Sequence, residues 1–445
     1  MPWASAIGQS ALLRGSVAVL ALSLLLAGCS SSEDARSTAS QSATAMVSSV
    51  LASTDETIAF WEQRVARDPH DSTAYNKLAD AYLRRARQTG DVASYDRAEA
   101  ALETSLQVLP RGNVDAQLQL AFVRVAKHDF RGGLDLARQA LESLPNDPYG
   151  LSVLGDAQLA LGQYAEAEAT YLAMAKAVPG LSSFSRLAAV YELRGDLKQA
   201  ELTWRNAIAI DGGTRPENSA WARVELGNFY LTQGDTDAAQ ESYRRSLEAY
   251  PGYVHALAGL ANVDAARGDY DKAIALYRDV TTRYPIPDYV IALGDIYAAA
   301  GKPEQASRQY ALVAAIDQLY RANGVNTDLQ MALFLADHDR DLDESLRQAR
   351  AASIDRPSIQ AADTLAWALY KTGQFEEARH QAEQALRLGT RQPLYLFHAG
   401  MIAARQGDTL AARDYLSRAL TLNPRFHVVH AAEAQRMLDQ LGGKL

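Results

Sequence analysis

The chain has 445 residues, which is too long for one ordinary compact core and fits either two or three domains or an array of repeats. Apolar residues make up 48% of it and charged residues 22%, so most of the chain should fold. A formal net charge of −9 gives no electrostatic reason to bind nucleic acid, and a single cysteine excludes an intrachain disulfide and a thiolate metal cluster within one chain.

The first segment predicts export. One basic residue, Arg14, precedes an apolar run over residues 16–26, which has the length of a secretory signal and is too short to span a bilayer comfortably. The run is followed at once by Leu26-Ala27-Gly28-Cys29-Ser30, and Cys29 is the one cysteine of the chain. Residues 1–28 are therefore predicted to be a signal peptide.

The residues around Cys29 resemble the lipobox of bacterial lipoproteins. The resemblance implies that Cys29 carries acyl chains such as palmitate, becomes the mature N-terminus and anchors the protein to a membrane. Because Ser30 stands where an aspartate would favour the inner membrane, it also implies the outer membrane, facing the periplasm or the cell surface. The alternative is a plain signal peptide that contains a cysteine by chance.

The next two segments predict a tether and a cap. Residues 29–53 are rich in Ser, Ala and Thr without an apolar period, as expected for a flexible linker. Residues 54–72 carry Ile58, Trp61 and Val65 at helical spacing and predict an N-terminal capping helix.

A period of 34 to 35 residues organises residues 73–424. Prolines recur at this spacing at Pro110, Pro145 and Pro179, and again at Pro251 and Pro285. The clearest unit contains Leu226-Gly227, then Gly234-Asp235, Ala239, Tyr243 and Pro251. This pattern resembles the tetratricopeptide repeat. The resemblance implies an all-α fold, a right-handed superhelical solenoid of about ten helix-turn-helix hairpins, closed by a C-terminal capping helix and tail over residues 425–445.

Four units depart from the pattern. The first has about seven extra residues, 85–91, and predicts longer helices or a wider loop. Bends are predicted near residues 211–219 and 318–326, where the fourth unit lacks a tight turn and the seventh predicts a long second helix. The eighth replaces its turn glycine with Asp337-His-Asp-Arg-Asp341.

No motif for catalysis appears in the folded region, so we expect neither an enzyme nor a cofactor. His427 and His430 could place two imidazoles on one helix face, but no third ligand accompanies them, and a solvated surface helix is the preferred interpretation. The acidic run 337–341 lacks the spacing of a calcium loop and is interpreted as a solvated turn. No metal site is predicted.

The resemblance implies a concave groove, lined by the first helix of each hairpin, that receives an extended peptide or a helix. Residues predicted to face it are Asn76, Asp80, Phe122, Asp156, Trp221, Asn228, His255, Asn262, Asp295, Phe334, Trp367, Tyr370, Phe397 and Met401. The proposed partner-binding set within them is Asn228, Asn262, Phe334, Trp367, Tyr370, Phe397 and Met401, because aromatic residues and methionine make strong interface anchors. The alternative for the aromatic residues is packing between repeats.

These expectations combine into an envelope-anchored scaffold lipoprotein that binds other envelope proteins and touches the membrane through its lipid alone. One alternative is a tetratricopeptide lipoprotein that binds polysaccharide or takes part in its export. Another is an accessory part of an envelope enzyme. The sequence leaves open the partner, the pathway, which membrane holds the anchor, and the oligomeric state.

Overall fold

The computed structural model describes residues 53–213 and 215–442, and Cys29 with its surrounding segment lies outside that range. The described part of the chain is helical throughout, without a strand. Its helices are α1 (53–67), α2 (Ser72–Thr89), α3 (Ala93–Val108), α4 (Val114–Ala126), α5 (Phe130–Ser143), α6 (Pro148–Ala160), α7 (Tyr164–Ala177), α8 (Leu181–Leu193), α9 (Leu197–Asp211), α10 (Pro216–Thr232), α11 (Thr236–Ala249), α12 (Val254–Ala266), α13 (Tyr270–Arg283), α14 (Pro287–Ala299), α15 (Pro303–Ala322), α16 (Asp328–Asp337), α17 (Leu342–Asp355), α18 (Ile359–Lys371), α19 (Phe375–Ala385), α20 (Pro393–Arg405), α21 (Thr409–Leu422) and α22 (His430–Gln440).

The helices pair into ten consecutive hairpins. Hairpin 1 is α2 with α3, hairpin 2 is α4 with α5, and the series continues in chain order to hairpin 10, α20 with α21. Helices α1 and α22 flank the array. We call the turn within a hairpin its inner turn, and the segment that leads to the next hairpin its connecting loop. The predicted all-α solenoid of about ten hairpins is confirmed.

In hairpin 5 a tyrosine on the second helix packs directly against a glycine on the first. In hairpin 5, a Cβ on Gly227 would lie 2.5 Å from Cε1 of Tyr243. The Tyr243 hydroxyl donates a hydrogen bond of 2.8 Å to Oδ1 of Asn228, the next residue of α10. The side chain of Tyr243 is fully buried, so the repeat places a large ring where the two helices come closest.

Aspartates after the inner turns cap the second helices. Asp196, Asp235 and Asp408 each accept a hydrogen bond from the backbone N–H three residues later, at 2.9 to 3.2 Å. The glutamines at two equivalent positions, Gln163 and Gln374, make no side-chain cap.

Two of the irregular units contain the long helices that the sequence predicts. Helix α2 of hairpin 1 has 18 residues and α15 of hairpin 7 has 20, so both long helices are confirmed. In hairpin 8, which lacks a turn glycine, Asp339 and Asp341 take positive φ angles of 49° and 32°. Aspartate tolerates this left-handed region better than most side chains.

The superhelix closes on itself through contacts that the sequence did not predict. The inner turn of hairpin 3 meets the connecting loop of hairpin 8, where the Tyr164 hydroxyl accepts a 2.7 Å hydrogen bond from the Ile359 backbone N–H, 195 positions away. Gly162, with φ of +73°, lies so close that a Cβ would clash with the Pro357 carbonyl oxygen. The two segments therefore meet backbone against backbone.

The same offset of five hairpins recurs along the array. The equivalent contacts are Tyr284 Oη to the Arg87 carbonyl at 3.2 Å (hairpins 6 and 1), Asn326 N to the Lys127 carbonyl at 3.2 Å (7 and 2), Gly389 against Gly195 (9 and 4), and Asn423 Nδ2 to the Leu231 carbonyl at 2.8 Å (10 and 5). One turn of the superhelix is thus complete within five to six hairpins. Its interior is narrow as a result.

Substitution of Gly162 tests this contact. Gly162→Ala should lower the free energy of unfolding by about 2–4 kcal/mol, because a left-handed alanine costs about 1–2 kcal/mol and the clash with Pro357 adds a similar amount. Gly301→Ala is the matched control, since Gly301 has φ of +70° and open space around its Cβ position. Denaturant unfolding of dilute protein measures both, and equal losses would contradict the contact.

Candidate functional site

The inner face of the C-terminal half encloses a cavity of about 520 Å³. The first helices of hairpins 5 to 10 line it, and residues 423–429, which we call the return loop, run across it between α21 and α22. Its lining is rich in carboxylates and amides. These are Asn228, Asn262, Asp288, Asp295, Gln330, Asp337, Gln360, Asp363 and Gln392.

Three residues of the predicted partner-binding set line this cavity: Asn228, Asn262 and Phe334. Oδ1 of Asn262 accepts a 2.7 Å hydrogen bond from the Tyr277 hydroxyl, as Asn228 does from its own tyrosine. The oxygen of each amide is therefore held by a tyrosine, and Nδ2 of Asn228 also donates a 3.5 Å hydrogen bond to Oε2 of Glu225.

The other aromatic members of the set pack inside the protein. Trp367, Phe397 and Met401 are buried in a cluster with Leu438 of α22. The half-buried Tyr370 stacks on Trp367 with ring centroids 4.8 Å apart. Of the two interpretations that the sequence left open for these side chains, packing describes their position in this structure.

On the inner face of the N-terminal half, two of the predicted groove residues have partners within the chain. Asp156 is buried and receives Nε and Nη2 of Arg186 at 2.7 to 3.1 Å, together with the Tyr171 hydroxyl at 2.7 Å. Asn76 is also buried and donates to Oδ1 of Asn113 at 3.0 Å. These predicted groove residues are therefore satisfied within the chain.

The return loop and α22 bring two histidines against the carboxylates of the inner face. His427 lies with Nε2 3.6 Å from Oδ2 of Asp295, whose Oδ1 is 2.8 Å from Nε2 of His338. His430 lies with Nε2 3.3 Å from Oδ1 of Asp337. The C-terminal segment therefore contacts hairpins 7 and 8 through these two histidines.

The interpretation of His427 to His430 as a solvated surface helix is wrong. His430 is buried, and its ring stacks on Phe397 at 5.0 Å. The solvated turn predicted for 337–341 is wrong at its first residue, because Asp337 lies inside and accepts a 2.8 Å hydrogen bond from Nε1 of Trp367. The repeat period alone does not indicate these contacts, because they pair the histidines with aspartates on first helices several repeats away.

Burial and charge act in opposite directions on this network. Burial alone would lower the pKa of His430, but the carboxylates of Asp337 and Glu433 raise it to about 9. Burial alone would raise the pKa of Asp337, but His430 lowers it to about 2. For His427, burial and the neighbouring His430 lower the pKa to about 4. His430 is therefore charged and His427 neutral near pH 7.

No grouping of histidine, aspartate and glutamate within residues 53–213 and 215–442 has an arrangement that would hold a metal ion. In the same ranges no helix combines the length and the apolar character needed to cross a bilayer.

Comparison with known protein families identifies the repeat. Sequence models described as tetratricopeptide repeat match residues 118–182, 181–252, 224–285 and 364–425, which together cover more than half of the chain. The chain belongs to the tetratricopeptide repeat family. Proteins of this family generally act as scaffolds that bind peptides or other proteins.

Several curated proteins are similar to it. Cellulose synthase operon protein C of Komagataeibacter xylinus is 26% identical over 306 residues, which cover 65% of this chain and 22% of that protein. The protein of the same name from Pseudomonas fluorescens (strain SBW25) is 26% identical over 314 residues, covering 68% and 22%. Tetratricopeptide repeat protein 21B of Mus musculus is 32% identical over 133 residues, covering 29% and 10%. The chain thus spans about a fifth of the length of the two bacterial relatives, and less of the mouse protein.

Two solved structures with helical repeats are also similar. The human IFIT1 dimer with PPP-AAAA aligns with a TM-score of 0.46 and 14% identity over 83% of this chain and 87% of that one. Yeast Tom70 aligns with a TM-score of 0.33 and 14% identity over 83% and 96%.

The pH dependence of stability tests the histidine network. His430 holds a proton in the folded state up to about pH 9 that the unfolded chain releases near 6.5, so its stabilisation is fully present below pH 6.5 and is lost as pH rises through 9. The free energy of unfolding of the unmodified protein should therefore fall between pH 7 and 9, and His430→Gln should make this fall smaller by about 1–3 kcal/mol.

The control is His380→Gln, because His380 lies exposed on α19. Urea unfolding at pH 6.5, 8 and 9.5 gives the free energy of unfolding against pH for the unmodified protein and for each of the two variants. The network would be contradicted if the His430 variant kept the slope of the unmodified protein.

Proposed function

We propose that the protein is an envelope-anchored scaffold lipoprotein that binds extended segments of other envelope proteins in the cavity of its inner face. The observation that carries the proposal is the wall of the cavity: a stretch of this chain in non-helical conformation, the return loop, already packs there against the first helices of the hairpins. A protein segment of similar length and chemistry is the occupant that such a site suits best.

The lining favours a ligand with basic residues. Asp288 and Asp295 contribute carboxylates from α14 of hairpin 7, and Asp363 contributes one from α18 of hairpin 9. The return loop brings the basic side chain of Arg425 to the same cavity. Amide groups from Gln330, Gln360 and Gln392 add donors and acceptors that suit the backbone of an extended peptide. Complementary charge would speed the encounter and select the partner.

The anchor is part of the same proposal. Lipidation of Cys29 would fix the scaffold to a membrane, with Ser30 directing it to the outer membrane, and residues 29–53 would give the solenoid freedom to reach partners. No enzymatic step is assigned to the protein.

A second candidate is a role in polysaccharide export, and the relatives favour it. Two of them carry the name cellulose synthase operon protein C. A cavity lined by carboxylates and amides also offers the groups that hydrogen-bond to sugar hydroxyls. In this alternative the scaffold would bind a glycan, or dock to the proteins that move one.

Affinity capture distinguishes the two. The full chain, tagged at the C-terminus and crosslinked in host membranes, should yield an envelope protein joined to hairpins 5 to 10. The double variant Asn228→Ala and Asn262→Ala should reduce this capture about tenfold or more, because it removes two amides at the cavity wall.

The matched control is Asn206→Ala, an exposed asparagine on α9, which should capture as the unmodified protein does. A Cys29→Ala chain, followed by mass spectrometry of the N-terminal peptide, tests the anchor separately. Capture that is equal in all the asparagine variants would contradict the binding site, and binding of glycan without protein would support the second candidate.

A further inference from the structure

Each end of the superhelix has a rim that lacks the contact between an inner turn and a connecting loop. Inside the molecule, each inner turn of hairpins 1 to 5 is covered by the connecting loop five hairpins later. The connecting loops of the first hairpins have no earlier turn to meet. The inner turns of the last hairpins have no later loop above them.

The first rim, which we call the loop rim, exposes apolar side chains. The residue that directly follows the second helix is Leu109, Leu144 and Val178 in hairpins 1, 2 and 3, with 44%, 48% and 52% of the side chain exposed. The equivalent residues Tyr284, Arg356 and Asn423 of hairpins 6, 8 and 10 are 3% to 5% exposed, because each packs on the preceding turn of the superhelix.

The second rim, which we call the turn rim, exposes the matching glycine turns. Gly268, Gly301, Gly373 and Gly407 have positive φ angles, and among the described residues no atom lies within 4 Å of a Cβ placed there. The glycines at the same place in hairpins 3, 4 and 5 touch the backbone of a connecting loop. Hairpin 6 even repeats the local sequence of hairpin 3, since Tyr270 follows Gly268 as Tyr164 follows Gly162.

We infer that a second copy of this chain docks head to tail, with its loop rim on the turn rim of the first. The contact would continue between molecules the backbone packing that already joins hairpins 1 to 5 to hairpins 6 to 10 within one. Leu109, Leu144 and Val178 would then reach the burial of their equivalents in the later hairpins. The inference is independent of what the inner cavity binds.

The two rims differ, so the interface is heterologous. After docking, one copy keeps a free turn rim and the other keeps a free loop rim, and association therefore continues past the dimer as the concentration rises. This behaviour separates the inference from any symmetric dimer, which would stop at two copies.

Sedimentation velocity of the full chain with Cys29→Ala, across a hundredfold range of concentration, tests the inference. A loop-rim variant, Leu144→Asp with Val178→Asp, changes exposed residues and should stay monomeric. A turn-rim variant, Gly301→Asn with Gly373→Asn, should also stay monomeric, because asparagine tolerates positive φ but would place a Cβ in the interface.

The mixture of the two variants is decisive. Each variant retains one intact rim, so an equimolar mixture should form a dimer and no larger species. The chain in which both rims are intact should form longer species. Circular dichroism of each variant establishes that the fold is kept. The inference is overturned if the unmodified chain stays monomeric throughout, or if it associates while the mixture does not.

Discussion

The contact between an inner turn and the connecting loop five hairpins later determines most of what is particular to this solenoid. It joins backbone groups that lie nearly 200 positions apart, as between Lys127 and Asn326, and at Gly162 it has no room for a side chain. Because this contact repeats along the array, the superhelix is tightly wound. Its interior contains a cavity of about 520 Å³ in the C-terminal half, and in the N-terminal half the buried Asp156 is held by Arg186.

A narrow interior also explains the histidine network. The return loop crosses the space that the close winding leaves, and its His427 and the following His430 come within ion-pair distance of carboxylates on α14 and α16. A charge buried without a partner would be costly, so these pairs fix where the C-terminal helix sits. That helix in turn covers Trp367 and Phe397, which a wider groove would leave open to a ligand.

The sequence predicts the hairpins well and their winding not at all. Glycine at 227, tyrosine at 243 and aspartate at 235 act within one hairpin, and their spacing gives the repeat, the long α2 and α15, and the ten units. The partner of His430 lies more than ninety positions away, and which residues meet depends on superhelical pitch. Pitch arises from small rotations summed over many repeats, and these leave no local pattern in the chain. The same limit explains why the sequence does not tell which predicted groove residues line the cavity, as Asn228 and Phe334 do, and which are buried, as Trp367 is.

The winding itself is the claim on which the account depends, and a distance across the superhelix measures it most directly. Spin labels at Gln163→Cys and Asp355→Cys, in a chain with Cys29→Ala, would mark the inner turn of hairpin 3 and the end of α17 in hairpin 8. The account predicts one short and narrow distance distribution in double electron–electron resonance. A long or broad distribution, as from an open superhelix, would contradict it.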